Sequence, residues 1–264
     1  MKIVQVFILA VSVLFLVSCT KVVDIKLNNA LPQLVIQGNI TNEPGPYIVT
    51  ISSSIPYNVS NVFPGIANAI VKITDDSTGN IDVLTDELNG NYTTNTTVGK
   101  IGHTYHLQVT LGVQIFNATS TMPKYVPLDS ITFFTNTGFG GSTTNPLPNF
   151  QDPAEGSNYY YFKQTINKRV LPTNFVVDDR LSNGRYISIQ LFNDSSYIKK
   201  FDTVQLEMRC IDKNVFNYFN QLAQLNDPNG NQSANPTNPE SNITNGALGY
   251  FSAHTRQIKK TVFK

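Results

Sequence analysis

The sequence is poor in charged residues and contains no cluster of basic side chains. Only 14% of its residues are Asp, Glu, Lys or Arg, and the formal net charge is +1. A nucleic-acid partner requires a cationic face that displaces counterions, and an anionic lipid surface attracts polybasic segments. The composition therefore argues against both kinds of electrostatic partner.

The sequence also lacks the local motifs of the common enzyme classes. It has no Gly-x-Ser-x-Gly segment, no His-Glu-x-x-His segment and no glycine loop that ends in Lys-Ser or Lys-Thr. A catalytic triad would have to be assembled from loops that are distant in sequence. We therefore expect a protein that is not an enzyme and that needs no cofactor.

The one long apolar run, Val4 to Val17, is too short to cross a bilayer. It follows a basic residue and ends in Leu16-Val17-Ser18-Cys19, which is typical of a secretory signal. Leu-x-Ser-Cys resembles a bacterial lipobox, in which the chain is cut before a cysteine that then carries acyl chains. The alternative is an ordinary signal peptide that contains a cysteine. We predict removal of residues 1–18, lipidation of Cys19 and a tether over residues 19–32.

Loss of the leader removes one lysine and leaves a formally neutral chain that is rich in Asn, Thr and Ser. Such a surface, with aromatic and β-branched residues beneath it, is typical of exported β-rich proteins. The second cysteine, Cys210, ends an alternating segment whose inward positions begin at Val204. We expect Cys210 to be a small core residue without a disulfide partner, the alternative being a reactive exposed thiol.

Residues 33–125 read as short strands separated by turn signals, without a helical period. Asp75 to Asn80 predicts a hairpin turn. The predicted strands are Leu34–Gly38, Tyr47–Ser52, Ala69–Ile73, Gly102–Val109 and Val113–Ala118. This spacing predicts an immunoglobulin-like or transthyretin-like β-sandwich of about seven strands.

The sequence pattern of residues 126–264 predicts a second β-rich domain with one helix and long loops. Asp212 is a suitable N-cap for a helix over residues 212–225, whose apolar residues recur at helical spacing. We expect residues 135–158 to form a long loop or insertion, and the Asn/Pro-rich stretch after the helix to be another. Further strands are predicted at Tyr159–Phe162, Tyr186–Phe192 and Phe201–Ile211.

Few side chains suggest chemistry. His103 and His106 fall on opposite faces of a strand, and His254 is isolated, so structural histidines are favoured over a metal site. The Asp pairs at 75–76 and 178–179 lie in predicted turns, with a weak calcium site as the alternative. Residues Tyr159, Tyr160 and Tyr161 adjoin a predicted loop. They are the best candidates for a binding surface, and packing against the helix or the neighbouring domain is the alternative.

Several segments, in order over most of the chain, resemble a family of bacterial lipoproteins known as domain of unknown function 4249. The segments are Leu34–Thr41, Ala67–Asp76, Gly90–Tyr92, Gly102–Tyr105, Val126–Ile131, Phe150–Pro153, Ser241–Gly246 and Leu248–Phe251. The resemblance implies a Bacteroidetes outer-membrane lipoprotein that is often encoded beside a TonB-dependent receptor. It implies no catalytic residue, because the family is not defined by any.

The resemblance also implies candidate O-glycosylation sites, because periplasmic proteins of Bacteroidetes carry O-glycans at Asp followed by Ser or Thr and then Thr or an apolar residue. Three residues, Ser77, Ser130 and Thr203, fit this pattern. Ser77 lies in the turn that is most clearly accessible.

We therefore expect a non-enzymatic lipoprotein that is held in the outer membrane by acyl chains on Cys19 and is an accessory or ligand-binding partner of a TonB-dependent receptor. The periplasmic face is expected, since residues 20–24 are too weakly acidic for a surface-export signal. The alternatives are a structural or adhesive surface protein and a hydrolase built around His103 or His254. The oligomeric state is left open.

Overall fold

In the computed structural model, the short alternating segments form strands and the predicted helical segment forms a helix. The model describes residues 31–56, 62–138, 141–192, 198–225 and 237–264, so the leader, Cys19 and nearly all of the tether lie outside the described residues. The strands are β1 (Leu34–Thr41), β2 (Ile48–Ser53), β3 (Ile70–Asp75), β4 (Asn80–Val83), β5 (Thr85–Asp86), β6 (Asn91–Thr93), β7 (Thr104–Leu111), β8 (Gln114–Thr121), β9 (Ser130–Gly138), β10 (Gly141–Gln151), β11 (Tyr159–Ile166), β12 (Arg169–Asp178), β13 (Tyr186–Ser188), β14 (Thr203–Ile211) and β15 (Leu248–Val262), and the helix is α1 (Lys213–Leu225). The predicted mainly β fold with one helix is confirmed for this part of the chain.

An eight-stranded sheet runs through the molecule in the order β12-β11-β14-β15-β1-β2-β6-β5. Strand β15 joins its two halves because it pairs with β14 along its C-terminal part and with β1 along its N-terminal part. The β1–β15 pairing is parallel and matches Val35 with Leu248 through Thr41 with His254. The residues from Pro32 to Lys264 form one compact unit.

The N-terminal half is a sandwich in which β1, β2, β6 and part of β15 face a second sheet of order β4-β3-β7-β8. Its core is aliphatic and aromatic, as the alternation of β3 and β7 predicts. The largest fully buried side chains there are Tyr92, Tyr105, Phe251, Ile36, Ile40, Ile51, Ile73, Leu107 and Met122. The immunoglobulin-like sandwich predicted for this region fits the observed fold.

A second core lies between β11 and β14 of the large sheet and the three-stranded sheet of order β13-β10-β9. Phe150 packs edge-on against Tyr160 with ring centroids 4.7 Å apart, and Cys210 is buried in the same cluster. This core draws on residues from 126 to 210, while the first core takes residues up to 122 and again from 243 to 253. The predicted boundary at residue 125 stays a prediction, with β15 contributing to both halves.

Helix α1 packs on the face of the large sheet opposite these cores. Asp212 caps it, because the Val215 amide donates a hydrogen bond of 3.0 Å to Asp212 Oδ1. Phe216 contacts Tyr159 and Phe219 contacts Tyr161, with ring centroids 5.0 and 4.8 Å apart. The predicted helix and its cap are thus confirmed.

The prediction of a long loop over residues 135–158 is wrong for most of that stretch. Residues 130–138 and 141–151 form the strand pair β9–β10, matched from Ser130 with Asn149 to Gly138 with Gly141. The strand predicted over Tyr186–Phe192 is shorter than expected, since β13 ends at Ser188. Among the described residues, no helix has the length and apolarity required to span a membrane.

Candidate functional site

A groove of about 390 Å³ opens between the edge strand β8, the first turn of α1 and the segment before β15. Amide and hydroxyl side chains dominate its walls. The lining residues are Asn117, Ala118, Thr119, Asn214, Asn217, Glu240, Ser241, Asn242, Ile243 and Thr244. We call this the amide groove.

Backbone and side-chain hydrogen bonds fix the wall of the amide groove against β8. The Thr244 amide donates to the Asn117 carbonyl, and the Asn117 amide donates to Thr244 Oγ1, both at 2.9 Å. Asn242 Nδ2 donates to the Phe251 carbonyl at 2.7 Å, and Asn242 Oδ1 accepts from the Phe251 amide at 2.9 Å. The bonds to Asn117 satisfy backbone groups at the edge of β8, and those to Phe251 fix Asn242 to β15.

The opposite wall is built from the start of α1. Asn214 is exposed and Asn217 is half-buried, which places both amides at the groove with access to solvent. The two residues are three positions apart, so they share one face of the helix. Their side chains can therefore donate and accept hydrogen bonds toward a bound group.

A second cavity of about 430 Å³ adjoins the amide groove across β8, because Asn117 and Ala118 line both. It lies on the outer face of the sheet of order β4-β3-β7-β8, and its lining includes Lys72, Thr74, Ile81, His106 and Gln108. Together the two cavities form a continuous surface of polar, largely uncharged side chains.

The chemistry of this surface favours binding. Within the described ranges, no three residues of the types His, Cys, Asp and Glu cluster closely enough to hold a metal ion. Amides and hydroxyls recognise other polar uncharged groups, such as sugar hydroxyls or a peptide backbone, by directional hydrogen bonds. The only signals for this site in the sequence were the Asn-rich stretch after α1 and the segment Ser241–Gly246, and neither indicated β8 or α1.

The predicted binding tyrosines occupy a different place. Tyr160 is fully buried in the second core, and its hydroxyl donates to Asp152. Tyr161 is 4% exposed, and Tyr159 is half-buried against Phe216 of α1. Tyr159 and Tyr161 thus pack against the helix, the alternative that the sequence left open, and Tyr160 packs in the second core.

Two of the histidines pair with the aspartates of the β3–β4 turn. His103 Nδ1 lies 3.0 Å from the Asp75 carboxylate, and His106 Nε2 lies 2.7 Å from Asp76 Oδ2. Burial favours a raised pKa for Asp75, but hydrogen bonds from His103, Thr78 and Ser77 outweigh it and lower that pKa. The turn is thus an ordered hairpin, as the sequence predicted.

His254 and Cys210 are closed to solvent. His254 is 1% exposed, and burial lowers its pKa well below the ordinary value, so the imidazole is neutral. Its Nδ1 lies 2.8 Å from Ser252 Oγ. Burial likewise raises the pKa of the Cys210 thiol, and this cysteine is free, which fits a structural core residue.

The second Asp pair and the candidate glycosylation sites lie at the surface or near it. Asp178 forms an ion pair with Arg180 at 2.7 Å, and buried Asp179 accepts a hydrogen bond from the Asn158 amide at 2.9 Å. Among the glycosylation candidates, Ser77 and Thr203 are exposed, and Ser130 is half-buried at the start of β9.

Comparison with known proteins gives a family and no function. No curated protein matches the chain. A solved chicken interferon gamma receptor alpha chain is similar at 10% identity and a TM-score of 0.20, over 69% of this chain and 90% of that chain, which is too distant to carry an argument. A family model described as domain of unknown function DUF4249 matches residues 20–260. The chain belongs to this family.

Proposed function

We propose that this member of the family is a non-enzymatic lipoprotein of the outer membrane that serves as an accessory to a TonB-dependent receptor. The amide groove would contact the receptor. The observation that carries this proposal is the groove itself, a binding-sized surface lined mostly by uncharged hydrogen-bonding side chains.

The proposed anchor supports this role physically. Each buried methylene of an acyl chain contributes about 0.8 kcal/mol, so several chains on Cys19 would hold the protein at the membrane. A tether confines the protein near membrane partners and raises its effective concentration there without a new contact. A groove of modest affinity is then sufficient for association with a receptor in the same membrane. The periplasmic face is the side that we propose.

The composition of the groove supports an uncharged partner surface. Glu240 is the one carboxylate among its lining residues, and none of the others carries a charge. Hydrogen-bonding groups on a rigid wall favour specificity, because a partner that leaves them unpaired loses affinity. A loop of a receptor or a polar ligand such as a glycan fits this chemistry.

A structural or adhesive role is the second candidate. It would use the same long sheet and polar faces, but it would not require a transporter. The hydrolase is the third candidate, because the sequence has none of the motifs of the common hydrolase classes. Of the two histidines considered for it, His254 is buried, and His103 Nδ1 lies 3.0 Å from the Asp75 carboxylate.

The test is a detergent pull-down of the native protein through a C-terminal tag. The partners of the wild type are compared with those of Cys19→Ala and of the double variant Asn214→Ala/Asn217→Ala. Gln224→Ala is the matched control, since Gln224 is an exposed amide near the end of the same helix and outside the groove.

Recovery of a TonB-dependent receptor with the wild type and with Gln224→Ala, but with neither of the other two, would support the proposal. Recovery of the lipoprotein alone from wild-type membranes would contradict the receptor partnership and favour the adhesive role. Equal recovery with the Asn214/Asn217 variant would contradict the assignment of the groove.

A further inference from the structure

A lysine and an asparagine meet on the face of the large sheet that carries α1. Lys163 of β11 and Asn174 of β12 are direct partners in the antiparallel pairing. Lys163 Nζ donates a hydrogen bond of 2.8 Å to Asn174 Oδ1. Groups held beside each other in this way react far faster than the same groups free in solution, because the entropic cost of bringing them together is already met.

A tyrosine polarises the same carboxamide. The Tyr161 hydroxyl donates a hydrogen bond of 2.7 Å to Asn174 Oδ1. Burial raises the pKa of Tyr161 to about 12 although Arg209 opposes it, so the hydroxyl keeps its proton near neutral pH. Because two donors meet on Oδ1, this oxygen is held in a position where a hydroxyl can stabilise negative charge.

The surroundings shift the lysine amine toward its uncharged form. Burial lowers the pKa of Lys163, the positive charge of Arg209 lowers it further, and Glu207 opposes the shift. Glu207 of β14 is paired with Lys163 on the side of β11 that faces away from β12. A half-buried amine, an activated carboxamide and a carboxylate thus occupy three adjacent strands.

We propose that Lys163 and Asn174 become joined by an intramolecular isopeptide bond after the chain has folded. This is a covalent modification of the protein by its own residues, and it needs no oxidant, metal or cofactor. The bond would fasten β12, the edge strand of the large sheet, to its neighbour β11. The inference stands independently of the proposed receptor partnership.

The atoms of the reaction balance. The lone pair of the uncharged Lys163 amine attacks Cγ of Asn174, and the carbonyl pair moves to Oδ1, where the Tyr161 hydroxyl stabilises it. Glu207, which is in register with Lys163, relays a proton from the attacking nitrogen to Nδ2, and the carboxylate is regenerated. Glu207 also forms ion pairs with Arg209 and Arg256. The carbonyl then re-forms and ammonia leaves, so an amine and a primary amide give a secondary amide and ammonia.

The pairing between β11 and β12 is irregular at this point. Its register shifts between Lys163 and Thr165. A bulge re-aims the side chains beside it, and bulges are frequent near reactive sites. Between the pairs Lys163–Asn174 and Thr165–Val170, β11 contributes one residue and β12 contributes three. Strand β12 therefore bows at the site where Asn174 meets the lysine.

Mass spectrometry of the purified protein tests the proposal. The wild type should weigh about 17 Da less than its sequence requires, which is the mass of the ammonia released. Trypsin should fail to cut after Lys163, and a branched peptide should link the fragment that ends at Lys168 to the fragment Val170–Arg180. Lys163→Arg and Asn174→Ala should restore the full mass.

Two further variants make the test specific. Asn174→Asp should lose about 18 Da, because water replaces ammonia as the leaving molecule. Tyr161→Phe should keep the fold but form the bond at least about tenfold more slowly, since one donor to the developing oxyanion is lost. Circular dichroism checks that each variant is folded.

A folded wild type with unshifted mass and normal cleavage after Lys163 would overturn the proposal. So would a loss of about 17 Da that persists in Lys163→Arg, since succinimide formation at an Asn-Gly pair such as Asn183-Gly184 also releases ammonia. The primary result comes from the wild type, so a variant that fails to fold does not change the conclusion.

Discussion

Replacing Asp82 with asparagine changes one atom of a buried side chain that organises a neighbouring loop. Asp82 lies on β4 and is 3% exposed. Its Oδ2 accepts hydrogen bonds from the amides of Asn95, Thr96 and Thr97 at 3.0, 2.9 and 2.8 Å, and from Thr97 Oγ1 at 2.7 Å. Burial favours a raised pKa for Asp82, but these hydrogen bonds outweigh it and lower that pKa.

An asparagine can place its one acceptor oxygen at the position of Oδ2, but the hydrogen bonds there then go to a neutral acceptor, and an NH₂ group replaces Oδ1 beside the Asn95 amide. A hydrogen bond to a charged acceptor contributes about 1.5–3 kcal/mol, against about 0.5–1.5 kcal/mol for one to a neutral acceptor. We expect Asp82→Asn to lower the free energy of unfolding by about 2–4 kcal/mol. With a urea slope of about 1–3 kcal/mol per molar, the unfolding midpoint should fall by about 1 M or more.

The assay is urea unfolding followed by circular dichroism, with Asp76→Asn as the matched control. Asp76 is exposed and pairs with His106, and a surface pair of this kind contributes about 0–1 kcal/mol. Since the folded pKa of Asp82 is lowered, its contribution is present above the unfolded pKa of about 3.9 and is lost as the pH falls through the folded pKa. The wild type and Asp82→Asn should therefore converge in acid. Equal midpoints for the two proteins at pH 7 would refute the reasoning.

Three further predictions concern the packing. Gly249 has a φ of 97°, and a Cβ there would lie 2.0 Å from the Ile36 carbonyl oxygen, so Gly249→Ala should cost at least about 3 kcal/mol in urea unfolding and disturb the β1–β15 pairing. Asp212→Ala removes the cap of α1 and the acceptor of the Ser120 hydroxyl, so it should lower the unfolding free energy by about 2 kcal/mol, and a change below about 0.5 kcal/mol would contradict the capping role. Cys210 should react with a thiol reagent only after unfolding, and rapid labelling of the native protein would show that the thiol is exposed.

Local patterns predicted the elements whose signals are local. The alternation in β14 and the spacing of α1 gave strand, helix and cap, because each depends on residues that are neighbours in sequence. The partner of a strand has no such signal. The parallel pairing of β1 with β15 joins residues 213 positions apart, such as Val35 and Leu248, and the alternation of either strand is compatible with many partners.

The hairpin β9–β10 was missed because its second strand contains Pro146 and Pro148, and proline argues against a central strand. Both prolines tolerate their position because their backbone faces the side away from β9. Their carbonyls accept hydrogen bonds from the amides of Leu191 and Ile189 at 3.1 and 3.4 Å, so the N–H groups that proline lacks are not needed for the pairing with β9. The amide groove was missed for a related reason, since its walls come from three segments that only the fold brings together.

The most direct test of the account is site-specific photo-crosslinking in cells, with a photoreactive residue placed at Asn217 in the amide groove or at Gln224 outside it. We predict a covalent adduct with a TonB-dependent receptor from position 217 and none from position 224. The adduct from position 217 should disappear in the Cys19→Ala background. An adduct from position 224 alone, or no receptor adduct from either position in a correctly folded and anchored protein, would contradict it.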